Sequence, residues 1–304
     1  MLNRRNFLQI SSLAMAATTT GWQVALAAES GNIAAYGLQW THFPADESGF
    51  SRAPVLLSAG HEAVLVDGGF TLSDGRVVAQ AIAATGKTLK AIYISQSDPD
   101  YYFGLAPIRE DFPQARILAA PETVAAINAN VDKKLAVWGP QLKANGPQKR
   151  SDVVFAQPYI EPELTLQGHR IEIVPAQGMQ NRRYLWVPSL RAIVGGVLVF
   201  SDLHVWIADT PSADARKAWR ENLDAMLARN PALVVPGHMG PKATMDASAI
   251  RFTRDYLQAF EEELNQSKDS AQLIARMLQR YPDLPSQTSL ELGAKVALGE
   301  MAWG

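Results

Sequence analysis

The sequence predicts an α/β fold that ends in a run of helices. Three observations carry this prediction. Short apolar runs alternate with segments of helical period over most of the 304-residue chain, a pattern typical of α/β domains. Turn-forming Gly, Asp and Pro residues separate these segments. From residue 247 onward the apolar residues recur only at helical spacing. The chain is therefore expected to form strands with covering helices, followed by a helical end.

The individual elements follow in order along the chain. Residues 55–57 and 63–66 predict two paired strands around a tight turn. Residues 73–84 predict a helix that opens at an Asp74-Gly75 turn. The runs 90–94 and 117–120 predict two more strands, and residues 122–135 predict a helix. Residues 139–157 contain several Gly, Pro and Lys residues with little periodicity, and predict an extended loop over the mouth of a site.

The C-terminal region has an amphipathic pattern throughout. Residues 247–266 place aromatic and aliphatic side chains at helical spacing, and residues 270–281 continue the pattern. Prolines at 282 and 285 separate this helix from a last one through Leu290 and Val296. The apolar stripe predicts core packing. A homodimer contact through this region is the alternative.

The N-terminal residues resemble an export signal. Asn3-Arg4-Arg5-Asn6-Phe7-Leu8-Gln9 is similar to the twin-arginine signature, and an uncharged stretch from 10 to 27 ends in Ala25-Leu26-Ala27. Such a pattern predicts a removable signal peptide over residues 1–27 and export to a bacterial periplasm. A retained membrane helix is the alternative, but the stretch is only moderately apolar. After cleavage we expect no membrane association.

Composition excludes several classes of protein. The formal net charge of −2 lacks the clustered basic excess of a nucleic-acid-binding protein. The chain has no cysteine, so it has neither disulfides nor thiolate ligands. Any metal must be held by oxygen and nitrogen atoms, and any nucleophile must be Ser, Thr, Tyr, Asp or Lys.

The most informative stretch, residues 94–104, reads Ile-Ser-Gln-Ser-Asp-Pro-Asp-Tyr-Tyr-Phe-Gly after an apolar strand. It resembles the metal loop of the metallo-β-lactamase superfamily, Thr-His-x-His-x-Asp-His-x-x-Gly. On that alignment the three histidine positions hold Gln96, Asp98 and Tyr101, whereas Asp100 and Gly104 match. The resemblance thus implies the fold more directly than it implies the chemistry.

Four further landmarks of the superfamily occur in the right order between residues 35 and 245. The segments 63–69 and 233–240 resemble its early Asp-Gly strand and its terminal Val-Pro-Gly-His-x-Gly motif, and the latter keeps His238. In the segments 171–178 and 192–200, Gln177 and Val197 stand where the family has a histidine and a bridging aspartate. The resemblance implies a four-layer αββα sandwich over residues 28–245, with a C-terminal helical extension over 246–304.

The retained groups leave three interpretations open. Zinc binds imidazole and carboxylate but binds neutral amides poorly, so the substitutions argue against a dinuclear zinc centre. Asp98, Asp100 and His238, assisted by Tyr101 or a glutamine, form a ligand set for one divalent ion of zinc, iron or manganese. Alternatively no metal binds, and Asp98, Asp100, Tyr101 and His238 form an acid–base set. The third interpretation is a non-catalytic descendant that binds a small molecule or a protein.

Further residues have two interpretations each. Asp98 and Asp100 are close enough in sequence to raise one pKa as an acid–base pair, or they cap the loop. His204 is either a substitute metal ligand or base that reaches the cleft, or a structural histidine bonded to Asp202 or a backbone carbonyl. Arg182 and Arg183 either bind an anionic substrate or lie on the surface.

The predicted function is that of a periplasmic hydrolase-like protein acting on a small ester, lactone, amide or phosphoester. The alternative is a non-catalytic or metal-free binding protein. The expected partner is a small molecule in the cleft, and β-lactam hydrolysis is not expected because it requires the lost zinc ligands.

Overall fold

The computed structural model describes residues 30–32 and 37–303. The predicted signal peptide lies outside these residues. Within the described part of the chain, no helix combines the length and the apolar character needed to cross a membrane.

The first half of the chain builds a seven-stranded sheet in sequence order. The first four strands pair antiparallel and the last four pair parallel. Its strands are β1 (Ser30–Asn32), β2 (Leu38–His42), β3 (Val55–Ala59), β4 (Glu62–Val66), β5 (Thr88–Ile94), β6 (Arg116–Ala119) and β7 (Gln157–Pro158). Three helices cover one face of this sheet: α1 (Leu72–Ala84), α2 (Leu105–Asp111) and α3 (Pro121–Leu142).

The second half builds a five-stranded sheet and a two-stranded parallel one. The strands are β8 (Glu163–Leu166), β9 (His169–Pro175), β10 (Arg183–Val187), β11 (Ala192–Val194), β12 (Phe200–Ser201), β13 (Leu233–Val234) and β14 (His238–Met239). The five-stranded sheet has the order β13-β11-β10-β9-β8, and β12 pairs with β14. Four helices follow or interrupt them: α4 (Ala213–Ala228), α5 (Ala247–Leu264), α6 (Ser270–Arg280) and α7 (Gln287–Ala297).

Side chains that alternate between the two faces of each strand build the apolar layers between the sheets and the helices. Leu57, Val64 and Tyr93 from the first sheet meet Leu185 and Val194 from the second in one buried apolar layer. Side chains on the opposite faces of the two sheets pack against helices, with α1 to α3 on one side and α4 to α7 on the other. Because strand side chains point alternately to the two faces, each sheet buries both. The predicted αββα sandwich with C-terminal helices is confirmed.

Two local predictions differ from the structure. Helix α1 begins at Leu72, because Thr71 caps it and Asp74 completes the capping box; Asp74-Gly75 is therefore not a turn. Helix α3 continues to Leu142 with Pro140 inside its last turn, where a proline removes only one hydrogen bond. The loop that follows is shorter than expected and contacts α1 and α3, through Asn145 and Arg150 respectively.

Candidate active site

The altered metal loop leaves the end of β5 and forms a short 3-10 turn, Pro99–Tyr101. This turn packs tightly on the end of β4, where the Gly68 N–H donates to the Tyr101 carbonyl at 2.7 Å. A Cβ at Gly104 would lie 2.4 Å from the Gly68 carbonyl oxygen. Only glycine fits this close backbone approach, which accounts for the glycine of the motif.

Arg52 occupies the centre of the site and is fully buried. Its Nη1 donates to the Gly237 carbonyl at 2.5 Å, and its Nη2 donates to Asp67 Oδ2 at 2.8 Å. Its Nε lies 3.6 Å from Asp100 Oδ2. Burial by itself disfavours the charge, but electrostatic attraction to Tyr101, Asp67 and Asp100 outweighs burial and raises the pKa of Arg52. The centre therefore contains a permanent positive charge.

The aromatic ring of Tyr101 packs against the guanidinium of Arg52. The Arg52 Cζ lies 3.7 Å from the centre of the Tyr101 ring, in the range of a cation–π contact. Burial raises the pKa of the Tyr101 phenol well above its usual value, so the phenol is neutral. Among the described residues its hydroxyl has no hydrogen-bond partner.

Asp67 holds Arg52 and also joins the two sheets. Its carboxylate accepts hydrogen bonds from the Ser95 N–H at 2.8 Å and from the Ser95 hydroxyl. The same hydroxyl oxygen accepts from the Gly196 N–H at 2.8 Å, at the end of β11. The carboxylate of Asp67 is thus fixed by several donors, and it in turn fixes the guanidinium.

His238 faces Asp100. Its Nδ1 lies 2.8 Å from the Phe50 carbonyl oxygen, which only accepts, so Nδ1 carries the proton. Its ring stacks on Phe200 at 4.9 Å and 10°. Its Nε2 is left with a lone pair and lies 3.5 Å from Asp100 Oδ2.

Burial shifts both members of this pair toward their neutral forms. It raises the pKa of Asp100 to about 7, with the charge of Asp98 adding to the effect and that of Arg52 opposing it. Burial and the charge of Arg52 lower the pKa of His238 to about 3. Near neutral pH the imidazole is therefore neutral, and Asp100 exchanges one proton.

The other predicted ligand positions do not converge on this pair. Asp98 makes no cap hydrogen bond and pairs with Lys134 at 3.3 Å. The Gln96 side-chain oxygen accepts from the Ser97 N–H at 2.6 Å. Gln177 is exposed, and Asn222 binds its backbone N–H and carbonyl. Val197 is half-buried in a crevice of about 10 Å³.

The structure also places the remaining candidates. Arg182 lines the same crevice as Val197 and lies 3.5 Å from Asp209. Arg183 is buried and donates to Glu122 at 2.5 Å. His204 is fully buried and bonded to Tyr256 at 2.8 Å, so its imidazole is not accessible from the cleft. Burial lowers its pKa to about 4.

Hydrogen bonds tie the rim of the cleft together. Asn181 donates from its amide to the Ser97 hydroxyl at 2.8 Å, and its amide oxygen accepts from the Thr123 hydroxyl at 2.7 Å. The segment after β9 is thereby linked to the metal loop and to α3. The pair beneath remains partly accessible, since 11% of the Asp100 side chain and 13% of the His238 side chain are exposed.

Comparison with known proteins decides the family. The model of the metallo-β-lactamase superfamily matches residues 50–238, more than half of the chain. The chain belongs to the metallo-β-lactamase superfamily. The comparison with curated proteins found no match. The predicted family resemblance is therefore confirmed.

Solved structures of this superfamily have the same fold. A β-lactamase domain protein from Burkholderia ambifaria aligns with a TM-score of 0.62 and 18% identity, covering 89% of this chain and 86% of its own. A metallo-β-lactamase from Pontibacter korlensis aligns at 0.52 and 18%, covering 76% and 99%. The DIM-1 metallo-β-lactamase exposed to ceftazidime aligns at 0.52 and 15%, covering 76% and 96%. At such identities the likeness shows the fold alone.

Members of this superfamily usually bind zinc, but the residues of this centre do not fit a metal ion. Within residues 30–32 and 37–303, no three His, Cys, Asp or Glu side chains are grouped to hold one. The carboxylate of Asp98 is directed to Lys134, and the cationic side chain of Arg52 lies against Asp100. A second cation beside that guanidinium would be repelled.

Arg52 is the functional residue that sequence reasoning missed. One signal was present, because Arg52 is the only Asp, Glu, Lys or Arg residue between Glu47 and Glu62 and lies three residues before an apolar strand. Nothing in the local pattern connects it to Asp67, Asp100 or Gly237. That connection exists only once the two sheets are packed.

Proposed function

We propose that this protein is an exported, metal-free member of the superfamily in which Asp100 and His238 act as a proton-transfer pair. The substrate class is a small ester, lactone, amide or phosphoester that reaches the floor of the cleft. The family supports hydrolase-type chemistry, and the twin-arginine-like segment supports action in the periplasm.

The observation that carries the proposal is the geometry between Asp100 and His238. The Nδ1 proton of His238 is committed to the Phe50 carbonyl, so Nε2 presents only a lone pair to the carboxyl of Asp100. Two acceptors that face each other at 3.5 Å repel unless a proton or a donor lies between them. A protonated Asp100 or a bridging water meets this requirement.

The hydrolytic step follows from this arrangement. Ionised Asp100 accepts a proton from a water molecule while the water oxygen forms a bond to the carbonyl carbon or phosphorus. The bond to the leaving group then breaks, and the carboxylic acid of Asp100 returns the proton to the departing oxygen or nitrogen. A carboxyl group whose pKa is near 7 suits both directions of transfer at neutral pH. His238 orients the water through Nε2.

Hydrolysis of p-nitrophenyl acetate, dihydrocoumarin and bis(p-nitrophenyl) phosphate, measured in the presence of EDTA, tests the proposal. We expect turnover of at least one probe, with kcat rising as Asp100 ionises near pH 7. Asp100→Asn and His238→Gln are expected to lower kcat by about 10²-fold or more, the size of a lost general acid–base group.

Two matched substitutions serve as controls. Asp132→Asn alters an exposed carboxylate on α3, and His169→Gln alters a half-buried imidazole at the start of β9. Both are expected to leave kcat unchanged. Equal activity of Asp100→Asn and the unsubstituted protein refutes the acid–base role. Activity that disappears in EDTA and returns with zinc refutes the metal-free centre. Absence of turnover for every probe refutes catalysis of these classes and favours a binding protein.

A further inference from the structure

Two buried carboxyl groups flank the guanidinium of Arg52, and the imidazole of His238 lies against one of them. Asp67 approaches it at 2.8 Å from the end of β4, and Asp100 approaches it at 3.6 Å from the metal loop. Arg52 is also bridged through its backbone to His238, whose Nε2 lies 3.5 Å from Asp100. A single cation thus lies among groups that are themselves typical ligands of a divalent metal ion.

The way Arg52 is held shows a built site. Its side chain is 0% exposed. Nη1 donates one hydrogen bond to the Gly237 carbonyl and Nη2 donates one to Asp67, while the ring of Tyr101 packs against the flat face at 3.7 Å. A Cβ at Gly237 would lie 2.2 Å from the Gly196 carbonyl oxygen and 3.0 Å from Nη1, so this glycine lets the backbone approach Gly196 closely while the guanidinium lies beside it.

Tyr101 completes the arrangement. It stands at a position where the family resemblance places a histidine ligand, yet here the face of its ring contacts Arg52. An aromatic face attracts a guanidinium through its π electrons. The residue at position 101 therefore contributes to holding a cation, although it is not a metal ligand.

We propose that the Arg52 guanidinium is the resident cation of this centre, taking the place of a divalent metal ion, and that it prevents metal binding. It positions Asp100 and neutralises Asp67, tasks for which a metal would otherwise be required. With Arg52 present, no three such side chains among the described residues are grouped to hold an ion. We expect that removal of the guanidinium lets Asp67, Asp100 and His238, two carboxylates and one imidazole, close on a divalent ion.

This inference deepens the proposed function, because it explains how the centre works without metal. Its test measures metal binding and not turnover, so the two proposals can fail separately. An unsubstituted protein that binds no metal and hydrolyses no probe would refute catalysis alone.

The experiment titrates cobalt(II) into the protein and into Arg52→Ala, following the visible absorption bands and the heat of binding. We expect no stoichiometric binding by the unsubstituted protein. Arg52→Ala is expected to bind one cobalt ion per chain, at least 100-fold more tightly, and to gain thermal stability from it because binding to the folded state stabilises that state. The double variant Arg52→Ala/Asp100→Asn is expected to lose this binding.

Arg216→Ala is the matched control, because Arg216 is equally buried but pairs with Glu261 in the opposite helical layer. It should gain no cobalt site. Arg52→Gln is the second variant, to be used if Arg52→Ala does not fold. It removes the charge but keeps an amide donor for Asp67. If it folds, it is expected to bind cobalt as well.

Several outcomes overturn the inference. Stoichiometric, tight cobalt binding by the unsubstituted protein would show that the guanidinium does not prevent metal binding. Folded Arg52→Ala or Arg52→Gln that binds no cobalt would show that the surrounding groups form no metal site. Failure of both variants to fold even in saturating cobalt would show that a metal ion does not replace the guanidinium.

Discussion

The free energy of unfolding of Asp100→Asn, minus that of the unsubstituted protein, is expected to be larger at pH 8 than at pH 4.5. The reason is that ionising this buried carboxyl group is unfavourable in the folded state. Its pKa is raised from 3.8 to about 7 by burial, with a contribution from Asp98. Between these two values the folded protein holds the proton and the unfolded chain does not. The free energy of unfolding therefore falls as the pH rises through this interval.

The magnitude follows from the difference in pKa. Each pH unit corresponds to about 1.4 kcal/mol, so a difference of about three units contributes about 4 kcal/mol at most. His238 contributes with the opposite sign, because its pKa is lowered from 6.5 to about 3. Its neutral form is favoured on folding, and its contribution rises with pH up to about 6.5. In the unsubstituted protein these two contributions largely offset each other between pH 4 and 6.5.

Asparagine at position 100 removes the contribution of Asp100 to the free energy of unfolding, which falls as the pH rises, and leaves the contribution of His238. The difference in unfolding free energy between variant and unsubstituted protein should thus increase by about 3 kcal/mol from pH 4.5 to pH 8, because the interval between pH 3.8 and pH 4.5 is not sampled. Urea unfolding followed by tryptophan fluorescence at pH 4.5, 6 and 8 measures it, with Asp132→Asn as the exposed control. A difference that stays constant over this range would refute the raised pKa of Asp100.

Two further perturbations test the packing around the site. Asp67→Ala leaves the guanidinium of Arg52 buried without its closest carboxylate and should cost about 3–5 kcal/mol, which corresponds to a fall in Tm of about 10 °C. Asp132→Ala breaks an exposed pair and should cost less than about 1 kcal/mol; equal losses in the two variants would contradict the role of Asp67. Gly75→Ala places a Cβ 1.9 Å from a backbone oxygen of the metal loop and should destabilise by about 2–3 kcal/mol. Gly139→Ala meets only ordinary contacts inside α3 and should stabilise by about 0.5–1 kcal/mol; destabilisation there would show that the helix is strained at this point.

Much of the framework was predictable because it depends on short-range patterns. The paired strands β3 and β4, the strand β5 before the metal loop and the helical C-terminal region all follow from apolar periodicity. The positions of Gln96, Gln177 and Val197 relative to the family motif were also readable from sequence. The extent of α3 was not, because Pro140 is tolerated in its last turn.

The site was only partly predictable. The sequence indicated Asp100 and His238 as the retained polar pair, and the structure brings them to 3.5 Å. It offered several interpretations for Asp98, His204 and Arg183, whose side chains are directed to Lys134, Tyr256 and Glu122. Burial decides these partners, and local spacing does not encode burial.

By itself, the sequence determined that the usual metal ligands are absent, since residue identity alone fixes which donor atoms exist. Only the tertiary structure decided what takes their place. Arg52 reaches Gly237, 185 residues away, and Asp67, 15 residues away. These contacts form when β14 comes to lie beside the segment that precedes β3 and the two sheets close on one another. The buried charge at the centre of the site is thus a property of long-range packing, which no local pattern specifies.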